Sequence, residues 1–257
     1  MTNKQVSLDG QVLWAGIRRA SARTRESILC MVTRQTLTLV ARSGLRLLVT
    51  WRYPLRQRVS QELLFTIPAA IASLLRDEVF RRPLQVQMDG PRVSLTFHDE
   101  QGTYELRWSG DPGNFSPPEG YAQMFHVPAH MVEVSYLSIS DAAHQAVAKL
   151  ISLEQADVPR TKLAILVDFS RSRLSINGQE IEGGEPTRYY FDPRLIIRAL
   201  EIVRTDVIKV GVTPLPDQQR GYLSIVAEEP GCFIHCALLS IGTETQKLYP
   251  LPPGRNQ

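Results

Sequence analysis

Leu64-Phe-Thr-Ile-Pro-Ala-Ala-Ile-Ala-Ser-Leu-Leu-Arg76 and Tyr189-Tyr-Phe-Asp-Pro-Arg-Leu-Ile-Ile-Arg-Ala-Leu-Glu201 read as two copies of one unit, 125 positions apart. Sliding one onto the other aligns Pro68 with Pro193, Ile71 with Ile196 and Leu75 with Leu200. Each copy predicts a short strand, a proline in the first helical turn, where its missing N–H costs nothing, and a short amphipathic helix. Alternating residues follow in both: Leu84-Gln-Val-Gln-Met88 in one, Ile208-Lys-Val-Gly-Val212 in the other. A match that extends beyond the motif itself marks an internal repeat at about half the chain length.

Working outward from the first copy, Ile28–Val32, Thr36–Ala41 and Leu45–Trp51 alternate as strands, with Ser43-Gly44 as one turn. Asp89-Gly90 separates Leu84–Met88 from Arg92–Phe97 and suits a type I′ hairpin. Around the second copy, Asn177-Gly178 divides Arg173–Ile176 from Gln179–Ile181 in the same manner. Tyr222–Ala227 and Cys232–Ile241 form the last strand pair.

Each half also opens with a longer helix. In Gln11–Arg25, Leu13, Ile17 and Ala20 share one face, while Arg18, Arg19, Arg23 and Arg25 lie away from it. In the second half, Ser140 or Asp141 caps a helix through Leu153, with Ala143, Val147, Leu150 and Ile151 facing inward. Gly110-Asp-Pro-Gly-Asn-Phe-Ser-Pro-Pro-Glu-Gly120 is rich in turn formers and reads as the linker. The expectation is an α+β protein of two similar domains, 1–121 and 122–257, each with antiparallel sheets and two helices on one face.

The chain has 257 residues, 43% of them hydrophobic and 21% charged, which suits folded domains and not a disordered chain. No apolar run reaches the roughly 18 residues of a membrane helix, and the N-terminus lacks a signal-peptide core, so a cytoplasmic protein without membrane contact is expected. Formal net charge is +3, yet 24 of the 29 basic residues are Arg, the side chain suited to bidentate contact with phosphate or carboxylate, a bias that high genomic G+C content or heat tolerance also favours. Cys232 and Cys236 lie in a strand-like stretch. At ~3.3 Å per residue they stand about 13 Å apart on one face, too far for a disulfide. They read as buried small hydrophobes, with His235 on the opposite face.

The sequence carries no catalytic motif of the common classes. There is no Gly-x-x-x-x-Gly-Lys phosphate loop, no His-Glu-x-x-His zinc site and no Gly-x-Ser-x-Gly elbow. His98, His126, His130, His144 and His235 are scattered, and Pro128 interrupts the one pair at helical spacing. Asp99-Glu100 and Glu228-Glu229 fall in apparent turns, where solvated charge is the ordinary reading. A non-enzymatic protein with no cofactor and no metal is expected.

The order of these elements resembles the DNA sliding-clamp superfamily, which includes the bacterial polymerase III beta subunit and proliferating cell nuclear antigen. Phe65-Thr-Ile-Pro-Ala-Ala-Ile-Ala-Ser-Leu-Leu75 looks like the clamp strand and second helix, and Leu84–Phe97 like the hairpin after it. Gly102-Thr-Tyr-Glu-Leu-Arg-Trp108 and Asp111-Pro-Gly-Asn-Phe-Ser-Pro-Pro-Glu119 look like the next strand and the interdomain link. Tyr190-Phe-Asp-Pro-Arg-Leu-Ile-Ile-Arg-Ala-Leu200 is similar to the matching stretch in a bacterial clamp's last domain.

The resemblance implies helices lining the inside of a ring that duplex DNA threads, held by phosphate contact without base readout. The positions that would supply this charge are Arg18, Arg19 and Arg23 on the first helix, Arg76 at the end of the second, Lys149 on the third, and Arg194 and Arg198 on the last, with Arg204 beyond them. Arg56, Arg58, Arg81 and Arg82 read as loop charges. Six domains per ring would require a homotrimer of two-domain chains. The resemblance also implies docking of DNA polymerase or repair proteins through short hydrophobic motifs, near Asp111–Tyr121 and Leu248–Pro253. The alternatives are a clamp-shaped interaction module that does not encircle DNA and, from another class, an enzyme with an independently duplicated architecture.

Overall fold

A computed structural model of the chain describes residues 4–75, 81–116, 122–154, 165–168, 173–176, 179–182, 188–216, 220–240 and 242–243. Two compact units are present, Met1–Tyr121 with Glu229–Ile234, and Ala122–Glu228 with His235–Gln257. In chain order the first holds β1 (Lys4–Leu8), α1 (Gly10–Ser21), β2 (Ile28–Val32), β3 (Thr36–Ser43), β4 (Leu47–Pro54), β5 (Leu63–Ile67), α2 (Ala69–Leu74), β6 (Leu84–Asp89), β7 (Arg92–Asp99) and β8 (Gly102–Ser109). The same order of strand, helix, four strands, helix and three strands then recurs. It runs through β9 (Val132–Ser135), α3 (Tyr136–Glu154), β10 (Ile165–Asp168), β11 (Arg173–Ile176), β12 (Gln179–Glu182), β13 (Arg188–Phe191), α4 (Pro193–Val203), β14 (Val207–Pro214), β15 (Gly221–Glu229) and β16 (Cys232–Leu239). A short β17 (Gly242–Thr243) follows.

Strand order repeats as well. The first copy runs β1-β6-β7-β8 and β5-β2-β3-β4, and the second runs β9-β14-β15-β16 and β13-β10-β11-β12, with β17 added beside β13. Each copy therefore pairs its opening strand with the strand after its second helix. In the first copy this joins Val6 to Val86 across 80 residues. The α+β class and the antiparallel sheets agree with the sequence expectation.

The first core forms where α1 lies on β2, β3 and β4 and touches α2. Leu13, Ile17 and Ala20 are buried, as their spacing requires, and so are Leu37, Leu39 and Trp51 on the strands that α1 covers. Gly16 makes the approach close. A Cβ there would collide with Leu39 Cδ1 and meet the Tyr53 ring at 3.0 Å. Thr66, in the stretch that opened the repeat, is buried and ties β5 to the segment Trp108–Asp111. Its N–H donates to Gly110 O (3.0 Å), its hydroxyl to Asp111 O (3.0 Å), and its carbonyl accepts the Trp108 indole N–H (2.8 Å). In the second unit Ile196, Ala199, Leu200 and Val203 turn the apolar face of α4 inward.

Several local expectations are corrected. The helix expected over Gln11–Arg25 stops at Ser21, because Ala20 O accepts from both Arg23 N and Thr24 N and closes the turn. Arg23 and Arg25 therefore lie beyond α1. Neither Ser140 nor Asp141 caps the third helix: β9 runs directly into α3 at Tyr136, whose N–H is taken by Asp206 O (2.9 Å), so both residues are internal. Pro68 precedes α2 as its N-cap, whereas Pro193 is the first residue of α4. The β6–β7 turn is Gly90-Pro91, since Asp89 pairs with Arg92. Gly90 has φ +58° and Pro91 stays at negative φ, the sign pattern of type II′; the proline ring forbids the two positive φ values of type I′. The expectation that His235 lies on the face opposite Cys232 and Cys236 is not among those corrected: both faces of β16 are buried, and Ser224 Oγ lies 2.8 Å from the His235 Nε2. Asn177-Gly178 lies outside the described residues, although Ile176 pairs with Gln179 across it.

Candidate nucleic-acid interface

Helix α1 begins at Asp9, whose carboxylate accepts the Gln11 N–H at 2.9 Å and satisfies one of the first-turn donors. No acid follows in the first turn, and Arg18 and Arg19 occupy the last. There the cations complement the partial negative charge of the helix end. Both are exposed, on the face opposite Leu13 and Ile17. Arg18 sits 5.2 Å from the centre of the Trp14 ring, one turn back on the same helix. Arg19 is engaged on its own unit: its Nη1 lies 2.9 Å from Glu229 Oε2.

The Arg19–Glu229 pair borders a buried group on the first unit. Burial pushes the Tyr53 hydroxyl and the Cys232 thiol above their ordinary ranges, so both stay protonated at neutral pH. Cys232 is thus a packed thiol and not a nucleophile, as is Cys30, whose thiol burial also pushes up. Among the described residues, no group of three or more His, Cys, Asp or Glu could hold a metal ion, and no helix is long and apolar enough to cross a membrane.

In the second unit, α4 starts at Asp192, whose Oδ1 accepts the Arg194 N–H at 2.9 Å. Arg194 and Arg198 are exposed, one turn apart, opposite the buried stripe of Ile196, Ala199 and Leu200. Arg204 has a different local role. It is the C-cap of α4, left-handed at φ 37°, ψ 43°, with its N–H bonded to Leu200 O and its Nε donating to Glu201 O at 3.0 Å. Its side chain folds back on the helix end that it terminates.

The structure thus places Arg18 and Arg19 together on α1, and Arg194 and Arg198 together on α4, while Arg23 sits in the turn after α1. Arg76 and the side chain of Lys149 lie outside the described residues, as do residues 117–121 of the link and Leu248–Pro253. Arg81, read from sequence as a loop charge, is against α1: its guanidinium carbon is 3.9 Å from the Trp14 ring centre. Trp14 and Arg18 at i and i+4 were a readable sign that this ring attracts cations; Arg81 reaches it only through the tertiary fold.

No family profile matches this chain. No curated protein matches it either. Solved structures do. A DNA polymerase III beta subunit from Thermotoga maritima superposes with a TM-score of 0.63 at 15% identity, covering 92% of this chain and 65% of that one. A putative DNA polymerase III beta subunit from Eubacterium rectale gives 0.59 at 13% identity, covering 94% and 66%. A Pseudomonas aeruginosa sliding clamp, solved bound to griselimycin, gives 0.57 at 14% identity, covering 93% and 65%. The chain spans just under two thirds of the length of each of these structures. With its duplicated strand order and paired helices, this protein has the fold of the DNA sliding clamps.

Proposed function

We propose that this protein is a sliding-clamp-like tethering factor that encircles duplex DNA as a ring of three chains and docks replication or repair proteins. The observation that carries the reading is the twice-repeated clamp unit, each copy presenting exposed arginines on a helix whose other face is buried. Phosphate contact from such helices is independent of base sequence, which a ring that slides requires. The charge distribution supports it: residues 1–121 carry 16 Lys and Arg against 11 Asp and Glu, while residues 122–257 carry 13 against 15. Arg18, Arg19, Arg194 and Arg198 are the proposed phosphate contacts on helices, with Arg23, Arg76, Lys149 and Arg204 as flanking ones.

Ring closure needs a surface that repeats head to tail. Strands β8 and β12 each end a sheet and so carry a row of backbone groups for a further strand. One copy's β8 beside the next copy's β12 would supply the repeat. No step of this function needs a catalytic group or a cofactor, and the setting is cytoplasmic. Partner docking follows from the same reading and is the general role proposed for the residues around Asp111–Tyr121 and Leu248–Pro253.

The test is native mass by light scattering, followed by retention on circular DNA. Three chains of 28.9 kDa, with salt-sensitive retention on closed circles that is lost on linearisation, is the expected result. A monomer at micromolar concentration that releases circular and linear DNA alike would overturn encirclement and leave the interaction module.

A further inference from the structure

A cleft of about 480 Å³ opens beside the start of α1, between the end of β1, the segment after β4 and the segment before β6. Its polar lining is Ser7, Asp9, Gln11, Arg56, Gln57 and Arg81. We propose that this cleft binds the phosphomonoester of a nucleotide. The proposal does not rest on ring formation or on the exposed helix arginines.

Arg81 is prepared for an oxyanion. Its guanidinium lies 3.9 Å from the centre of the Trp14 ring, and contact with an aromatic ring restricts the cation's orientation before any ligand arrives. A planar fork so held loses little freedom on making two parallel N–H···O bonds. Arg56 and Gln57 extend from the end of β4 on the far wall, both exposed. Among the described residues neither side chain makes a hydrogen bond or ion pair.

The charge balance selects the class of anion. Among the described residues the one carboxylate lining the cleft, Asp9, is committed to the α1 N-cap through the Gln11 N–H. Two guanidiniums against this single carboxylate favour a dianionic phosphomonoester over a lone carboxylate. Volume selects the size, since ~300–1,000 Å³ is the range of small-ligand sites and a mononucleotide falls within it. The side-chain amides of Gln11 and Gln57 both donate and accept, as the edge of a base or sugar requires. A terminal phosphomonoester occurs on a free nucleotide and at a DNA 5′ end, and the test separates the two.

The full chain would be titrated with 5′-dAMP, with inorganic phosphate and with deoxyadenosine, followed by calorimetry and by Trp14 fluorescence. Trp51 and Trp108 are buried and contribute a constant background. Saturable binding of 5′-dAMP below about 1 mM, none by the phosphate-free nucleoside, and weakening of at least about tenfold in Arg56→Gln and in Arg81→Gln is the expected result. Arg56 is exposed, so its variant keeps the wild-type melting curve and carries the test if Arg81→Gln does not fold. Lys209→Gln, on β14 of the second unit and paired there with Glu228, leaves 5′-dAMP binding unchanged. Absence of saturation, equal binding of deoxyadenosine, or the same weakening in Lys209→Gln would overturn the site. With the site standing, better competition by a 5′-phosphorylated oligonucleotide than by its 5′-hydroxyl twin assigns it to DNA ends, and equal competition assigns it to free nucleotide.

Discussion

Replacing Gly16 by Ala tests how tightly α1 is seated, and the sign of the result is informative. On an exposed helix face the change would stabilise by about 0.5–1 kcal/mol, because Ala restricts the unfolded chain and has the higher helix propensity. Here the added methyl runs into Leu39 Cδ1 and touches the Tyr53 ring. Leu39 is fully buried, so it cannot swing into solvent. Forcing a methyl into such packing costs about 1–3 kcal/mol, which outweighs the propensity gain. The net expectation is destabilisation by about 1–2 kcal/mol, or roughly 2–6 °C in Tm for a chain of this size. Leu39→Ala alone creates a cavity and costs about 2–5 kcal/mol. In the double variant the methyl introduced by Gly16→Ala occupies part of that cavity, so the two costs fall short of additivity by about 1–2 kcal/mol. Urea unfolding of the four proteins measures the cycle. Additive losses, or a Gly16→Ala protein more stable than the parent, would refute the close approach of α1 to β3 and β4.

Three further outcomes follow from the structure. Ser224→Ala strips the buried His235 of its serine partner and is expected to cost about 1–3 kcal/mol by chemical denaturation; a change below a few tenths would show the 2.8 Å contact to be incidental. Arg18→Glu and Arg198→Glu are each expected to weaken duplex binding across all sequences and to reduce the slope of log K against log salt by about one unit, read by anisotropy between 50 and 200 mM salt; an unchanged slope removes that residue from the interface. Stability is expected to fall on the alkaline side: burial raises Cys30, Cys232, Tyr53 and Tyr222 above their ordinary values, so above about pH 8.5 for thiols and pH 10 for phenols the unfolded chain releases protons that the folded one retains. The loss approaches ~1.4 kcal/mol per pH unit for each such group between its unfolded and folded values, and Cys30→Ala should flatten a Tm profile taken from pH 8 to 10.5; a profile equally steep in that variant would contradict the reading.

The repeat was legible because it is written in periodicity. Phe65, Ile67, Ile71 and Leu75 alternate between strand and helix spacing in one copy, and Phe191, Ile196 and Leu200 do so in the other. Burial patterns on α1 and α4 were legible for the same reason. What sequence reading missed was decided by single hydrogen bonds or by distant segments. No local signal showed that Ala20 O would take two N–H groups and end α1 before Arg23. The start of α3 depends on Asp206, about seventy residues later, and not on Ser140 or Asp141. Asp89-Gly90 carries the type I′ signal, while the residue that excludes that turn, Pro91, stands just after it. Arg204 looked like one more cation on a stripe, whereas its left-handed backbone makes it the end of α4. Arg81 could be placed on Trp14 only once β6 had been brought beside β1.

That last pairing bears on how the chain emerges during synthesis. Residues 4–8 leave the ribosome about eighty residues before their partner strand, residues 84–88, and Thr66 waits for Trp108 and Gly110 before its buried groups are bonded. Closing such long loops comes late and leaves apolar surface uncovered in the meantime. Until β6, β7 and β8 have followed, Val6 and Leu8, buried in the finished unit, have no completed sheet to join. The β1 strand is therefore the natural point of capture for a chaperone. Nascent chains halted before residue 109 should be the ones that bind it most strongly.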